Sequence, residues 1–519
     1  MKKIYSIVLG FAALSLSLVS CSEDVMDTLN KDRNHAQDVD AKFIVTDLIT
    51  RTAISITGGD LNTYAAVAVE HEGGVFNQLY NAETRTSEWN TSTAFNNSWG
   101  SIYSNIKNAL KVIQKTADNE IGPDAGNAAI RGVAEVIYAH NSAILTDLFG
   151  DAPYSEACKG IEIMTPALDS QQSIYQSLMA TLDKAIADLQ AGGADSGLGA
   201  FDYLYKGDNT KWLKFAYGLK ARLLMHTIFR ASDKNAVYNQ IIQLADQSFA
   251  NPSEQAAFNV YDSSNWNPTF DFQYSRDYFG FSQSMYNKMM ARDDKRITRI
   301  LFEPYGYHLT PDSEDLMLVP NGEDFAPVQW VYTYDAFCLA QTASTYLMSY
   351  YELQFLKAEA LARLGRDAEA KACVKLALEE AFVNTEKSLQ AALNVNPKNL
   401  YMPDDDESTP LTAADADEYY ERIIEPLNGN DLLAEIMVQK YLAMYGANGE
   451  SLETYNDIRR MMALGEDFVE LENAKNASKF PLRYGYGADD TTTNPNVQAA
   501  FGNGQYVYSE PVWWAGGSR

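Results

Sequence analysis

The chain opens on a run, not a period. Behind Lys2 and Lys3, residues from Ile4 to Val19 are almost uninterruptedly apolar, and Ser22-Glu23-Asp24 follows Cys21. The run is too short and one-sided for a spanning helix with a stop signal, and reads as an export segment. Residues 22 to about 40 are polar and read as a tether. From Ala41 to His71 the pattern is mostly helical, broken at Gly58-Gly59, and a polar, ring-bearing loop spans Asn77 to Asn97. A series of helix pairs then begins. "SWGSIYSNIKNALKVIQKTA" puts Ile102, Ile106, Leu110 and Ile113 on one face, and "NAAIRGVAEVIYAHNSAILTDLFG" does the same with Ile130, Val133, Ile137 and Ile144, ending at Gly150. "SQQSIYQSLMATLDKAIADLQ" and "TKWLKFAYGLKARLLMHTIF" form the next pair. Ala128, Ala129, Ala134 and Ala139 permit the close helix approach that stacked helical repeats need.

From about Phe249 to Leu339 helical spacing is lost amid Asn, Asp, Pro, Gly and many rings. Helices resume at Ala340, turn at Gly365 into a second hairpin, pass an acidic loop ("MPDDDESTPLTAADADE"), and close with "EYYERIIEPL" and "NDLLAEIMVQKYLAMYG". The predicted fold class is predominantly all-α. It is a helical-hairpin scaffold (about 41–248 and 340–479) carrying an irregular insertion (about 249–339) and an irregular closing segment (480–519), all in one domain over 41–519. Such an arrangement suits a binding surface borne on loops.

Composition narrows the function. With 32 Tyr, 22 Phe and 7 Trp, the chain holds more amphipathic ring surface than a core needs, which favours contact with polar ligands or protein. A formal net charge of −28 argues against nucleic acid and against an anionic membrane surface. Four cysteines make no disulfide framework, and five scattered histidines show no metal spacing. Asp404 to Glu407 supply oxygens suited to calcium, but without the glycine and spacing of a binding loop they read as a solvated acidic stretch; no metal and no cofactor is expected. No G-x-S-x-G, H-E-x-x-H or phosphate loop appears.

Leu18-Val19-Ser20-Cys21 resembles a bacterial lipoprotein cleavage site, which implies a signal peptide over 1–20 and a lipidated tether over 21–40 with Cys21 as the modified residue. Several acyl chains together make a stable anchor. Further strings resemble the SusD/RagB family of outer-membrane nutrient-binding lipoproteins: "LTDLFGDAPYSEA" from Leu145, "PALDSQQSIYQSLMATLDKAIADL" from Pro166, "GDNTKWLKFAYGLKARLLM" from Gly207, "MSYYELQFLKAEALARLG" from Met348, "KYLAMYG" to "YNDIRR" (Lys440 to Arg460) and "PLRYGYGADD" from Pro481. They occur in family order over nearly the whole mature chain. The resemblance implies tetratricopeptide-type hairpins, capture of glycans without catalysis, an outer-membrane location facing the cell exterior, and a TonB-dependent, SusC-like transporter as partner. The chain departs from the family mildly after the paired arginines, where it reads Arg459-Arg460-Met461-Met462-Ala463-Leu464.

The family strings read as scaffold. Asp147, Gly150, Asp151 and Pro153 define a helix stop and a sharp turn, and Glu352, Glu359, Arg459 and Arg460 read as ion pairs or clamps within the fold. Ligand contacts are expected in the irregular parts, where flat rings meet the C–H face of a sugar and Asn, Asp, Gln or Arg meet its hydroxyls. Three clusters qualify: Tyr80, Asn81, Arg85, Trp89 and Asn90; Trp266, Asn267, Phe270, Phe272 and Tyr274; and Trp330, Tyr332 and Tyr334, with Tyr305 and Tyr307 before them. Trp89, Tyr80, Trp266, Phe270, Trp330 and Tyr332 are the expected ligand-binding residues. The competing classes are a lipid-anchored glycoside hydrolase, a binder of peptides, and a structural lid.

Overall fold

A computed structural model describes residues 39–398, 402–403, 408–473 and 477–519. Cys21, the signal peptide, nearly all of the tether and the Asp404–Glu407 stretch lie outside the described residues.

Eighteen α-helices and eight short strands occur among the described residues. The chain enters through α1 (Ala41–Arg51), which widens into a π-helical turn (Thr52–Thr57), breaks at Gly58-Gly59 and restarts as α2 (Asp60–Ala68). After β1 (Glu72–Gly74) comes α3 (Asn77–Glu83), in a stretch expected to be loop, and then α4 (Asn96–Lys115) and α5 (Ala128–Phe149). Almost every residue of α5 is buried, so this is the central helix of the scaffold and not an amphipathic surface one. It packs on α4 and on α6 (Gln171–Ala191), which lies beyond the short β2 (Ala152–Pro153) and β3 (Leu168–Asp169). Gly132 sets the α5–α6 approach: a Cβ there would lie 2.7 Å from Leu189 Cγ. Next come α7 (Asn209–His226) and α8 (Lys234–Asp246). Capping explains the starts: the side chains of Asn127, Ser170, Asp208 and Asp233 accept backbone N–H groups at the heads of α5, α6, α7 and α8.

The irregular insertion holds more structure than its composition suggests. It contains β4 (Ala256–Phe258), α9 (Pro268–Arg276), β5 (Phe279–Phe281), α10 (Gln283–Met290), α11 (Ile297–Ile300), β6 (Leu301–Phe302) and β7 (Tyr334–Asp335). Two antiparallel pairings staple it to the scaffold: β5 onto β1, with Glu72 opposite Phe281, and β4 onto β8 (Thr345–Met348). Helix does not resume at Ala340 as expected, because β8 intervenes and Ser349 caps α12 (Tyr350–Arg363). A turn at Gly365 (φ +71°) leads into α13 (Asp367–Leu393), then α14 (Ala413–Ile423), α15 (Gly429–Met444) and α16 (Ser451–Leu464). The closing segment adds α17 (Ala488–Thr493) and α18 (Pro495–Phe501).

The scaffold motifs do what their chemistry suggests. Gly150 turns the chain at φ +80°, and Asp151 Oδ1 accepts the Gln171 N–H at 2.8 Å. Arg222 and Arg460 make forked pairs with Glu352 and Glu359, all four buried. Burial pushes the Glu359 carboxyl up, but Arg460 and Arg363 outweigh it and hold it down at about 2. Arg459 is a carbonyl clamp, donating to Asp147 O at 2.8 Å and Leu482 O at 3.2 Å. The closing segment returns to these early helices: Trp514, fully buried, donates through Nε1 to Asp147 at 2.9 Å, and the Tyr484 hydroxyl donates to Leu61 O at 2.8 Å. Asp147 also faces His226, whose Nε2 lies 2.9 Å from Glu453. Burial disfavours the imidazolium, yet Asp147 and Glu453 overcome it and raise His226 to about 9.

Candidate functional site

The three ring clusters fare differently. Trp89 is completely buried: Arg85 and Glu88, both at positive φ, turn the chain inward, Nε1 donates to Ala82 O, and Tyr64, Phe95 and Tyr484 surround the ring. This corrects the expectation of a loop platform, since a ring with no exposed surface cannot stack on a ligand. Arg85 is also buried, holding the Asn473 carbonyl. Tyr80 is half-buried and donates to Phe325 O, while Tyr332 is buried and donates to Ala326 O, so both brace the 325–328 stretch. Phe270 is likewise sealed off, contrary to the expectation of a ligand contact: it lies beneath Trp266 and Tyr274, 1% exposed.

What remains is built around α9. Asn267 caps it, accepting the Thr269 N–H at 2.8 Å, and Pro268 occupies the first turn, where a missing N–H costs nothing. Fully buried, Asn267 also donates to Ala343 O and Ala447 O, tying the head of α9 to the scaffold. The helix ends at Asp277 in the left-handed region, φ +55°. That carboxylate receives the Trp330 N–H at 2.7 Å, the Tyr334 hydroxyl, and Gln273 Nε2 at 3.1 Å. Burial pushes the Asp277 carboxyl up and these bonds pull it back. Trp330 itself sits at φ +62° with 41% of its surface exposed. A bulky residue in that region is uncommon, and such strain gathers at functional sites.

A cavity of about 250 Å³ lies on one side of α9, lined by Tyr274, Asp277, Trp330, Tyr334, Leu339 and Met402. Another of about 320 Å³ lies on the other side, where Trp266, Asp271 and Arg276 meet Ser55, Asp60 and Ser98. Trp266 is half-buried, its Nε1 donating to Ser263 O, and its ring meets that of Tyr274 edge-on at 5.2 Å. A ring path therefore connects the two cavities. Asp60 opens α2, and burial raises its carboxyl, partly offset by Arg276. The residues that sequence reading missed here, Ser55, Asp60 and Ser98, sit on scaffold helices. Their one signal was the Gly58-Gly59 break: a Cβ on Gly58 would meet Ala53 O at 2.9 Å and Pro268 Cγ at 3.1 Å, so the break lets α9 approach.

A larger hollow of about 930 Å³ runs along α13 beside α14, with Leu376, Val383 and Leu411 in its lining and no tryptophan. Its lining is mostly apolar and holds no tryptophan, which leaves the ring-lined cavities at α9 as the candidate site. Glu72 and Asp335 are both buried acids, and they line none of these cavities. Among the described residues no group of His, Cys, Asp and Glu is arranged to hold a metal, and no helix is long and apolar enough to cross a membrane.

Comparison with known proteins fits this architecture. No curated protein matches the chain. A SusD/RagB family protein from Bacteroides thetaiotaomicron is 46% identical and superposes with a TM-score of 0.85 over 93% of this chain and all of its own. A SusD homolog from Bacteroides fragilis (18% identity, TM-score 0.69, 92% of this chain and 100% of its own) shares the fold. So does a chitin-binding SusD homolog from Flavobacterium johnsoniae (18%, 0.65, 91% and 98%). The SusD-like profile described as "Starch-binding associating with outer membrane" matches residues 37–487, and the chain belongs to that family of outer-membrane-associated binding proteins.

Proposed function

We propose that this protein is a cell-surface lipoprotein, anchored through Cys21, that captures oligosaccharides and passes them to a TonB-dependent, SusC-like transporter without altering them. The observation that carries the reading is the pair of accessible tryptophans, Trp266 and Trp330, each at a cavity on either side of α9 and joined through Tyr274. Exposed rings held rigidly by carbonyl and carboxylate partners suit the apolar face of a pyranose, and the polar groups around them suit its hydroxyls. The family description and the chitin-binding neighbour support a glycan over a peptide. Tyr80, Trp89, Phe270 and Tyr332 act in this reading by supporting the surface from beneath.

Calorimetry on the mature chain with maltohexaose, chitohexaose and a peptide panel tests the reading. A saccharide should bind, the hexamer more tightly than its dimer, and W266A or W330A should weaken it by roughly thirtyfold, or about 2 kcal/mol, with the helical spectrum retained. Binding of peptides alone, or undiminished affinity in both variants, would overturn it.

A further inference from the structure

The polar half of the Trp266 cavity carries a charge pattern that narrows the ligand. Its lining holds two carboxylates, Asp60 and Asp271, and a single cation, Arg276. The neighbouring cavity adds a third carboxylate, Asp277, and no further cation. Among the described residues, neither the Arg276 guanidinium nor the Asp60 carboxylate makes a hydrogen bond or a close ion pair; Arg276 lies over the Phe272 ring, 5.0 Å from its centroid, and acts on Asp60 only through its charge. Asp271 accepts one weak bond, from Ser275 at 3.3 Å. The cavity lining thus combines a guanidinium, a donor only, with two carboxylates, acceptors only. A sugar hydroxyl can donate to either carboxylate and accept from the guanidinium, so an uncharged ring satisfies both kinds of group at once. An anionic substituent satisfies only Arg276 and meets like charge from Asp60, Asp271 and a chain of net charge −28.

Resting on the saccharide-capture reading, we propose that Asp60, Asp271 and Arg276 are the specificity-determining groups of the Trp266 cavity. They admit uncharged or amino-bearing saccharide units and turn away carboxylated or sulfated ones. Desolvation of Asp60 adds to the preference, since a half-buried carboxylate gains from a ligand that donates to it.

The test pairs the tighter of maltohexaose and chitohexaose with its 6-carboxylated derivative, measured by calorimetry on the mature chain. The derivative should bind at least tenfold more weakly. Raising the salt should narrow that gap by strengthening the derivative while leaving the uncharged parent unchanged, because screening acts on the repulsion alone. In the Asp60→Asn/Asp271→Asn double variant the gap should shrink at low salt, whereas W266A should weaken both saccharides alike. Equal or tighter binding of the carboxylated form, or a gap indifferent to salt and to the double variant, overturns the charge assignment while leaving saccharide capture standing. If neither parent saccharide binds, the capture reading itself fails and this inference with it.

Discussion

Substituting Trp330 separates what its backbone costs from what its ring supplies. The residue is held at φ +62° by the Asp277 carboxylate on its N–H. An L-residue in the left-handed region carries roughly 1–2 kcal/mol of strain. W330A removes the ring and keeps the strain; W330G removes both. At an ordinary position glycine is less stable than alanine by roughly 0.5–1 kcal/mol, because it loses more freedom on folding. At Trp330 the released strain exceeds that penalty, so W330G should be more stable than W330A by up to about 1 kcal/mol, a reversal of the usual order. Both variants lose the exposed ring, and both should bind the best saccharide roughly thirtyfold more weakly. Urea unfolding of the two variants side by side gives the first quantity and calorimetry the second. If W330A is the more stable by the usual margin, the backbone there is unstrained. If either variant keeps the parent's affinity, the ring is not a platform.

W89A should behave oppositely, losing about 3–5 kcal/mol of stability in urea while the folded fraction binds saccharide normally, as expected of a ring sealed in the core. His226 is raised from 6.5 to about 9, so its contribution is complete below pH 6.5 and disappears as pH rises through 9. Comparing urea stability at pH 6 and pH 9.5, the parent should lose about 3 kcal/mol more than H226Q. C21A should leave the membrane fraction or stay unprocessed; a fully processed variant retained in that fraction would remove the lipid anchor. Prolonged incubation of pure protein with its best saccharide should release no new reducing ends, and product release abolished by one Asp or Glu substitution would make it an enzyme.

The helical scaffold was legible because its signals are local. Apolar spacing, the Gly150 and Gly365 turns and the capping residues act within a few positions, and they mark α4 to α7, α12 and α13 to within a few residues. The candidate site was legible only in part. Trp89 and Trp330 look alike in sequence, each a tryptophan in a polar stretch. Their fates are decided by distant partners: Tyr484 closes over Trp89, while Asp277 holds the backbone of Trp330, which stays exposed. Nothing near position 89 in the chain announces residue 484. Asp60 and Ser98 were missed for the complementary reason, since they lie on helices whose spacing reads as scaffold and enter the cavity only because α9 docks against them. In the insertion, β4 and β5 have three residues each, too few for alternation to register, and they exist because β8 and β1 offer them an edge.

The bond between Trp514 and Asp147 joins positions 367 apart in the chain. Asp147 lies on α5, the helix about which the scaffold is organised, so the middle of the molecule stays unsealed until residues beyond 510 arrive. During synthesis most of the chain is made before its core can close, and long-range closure of this kind is slow. A chain cut before residue 510 would therefore lack the donor that closes over Asp147, and its central helix would stay open at that end.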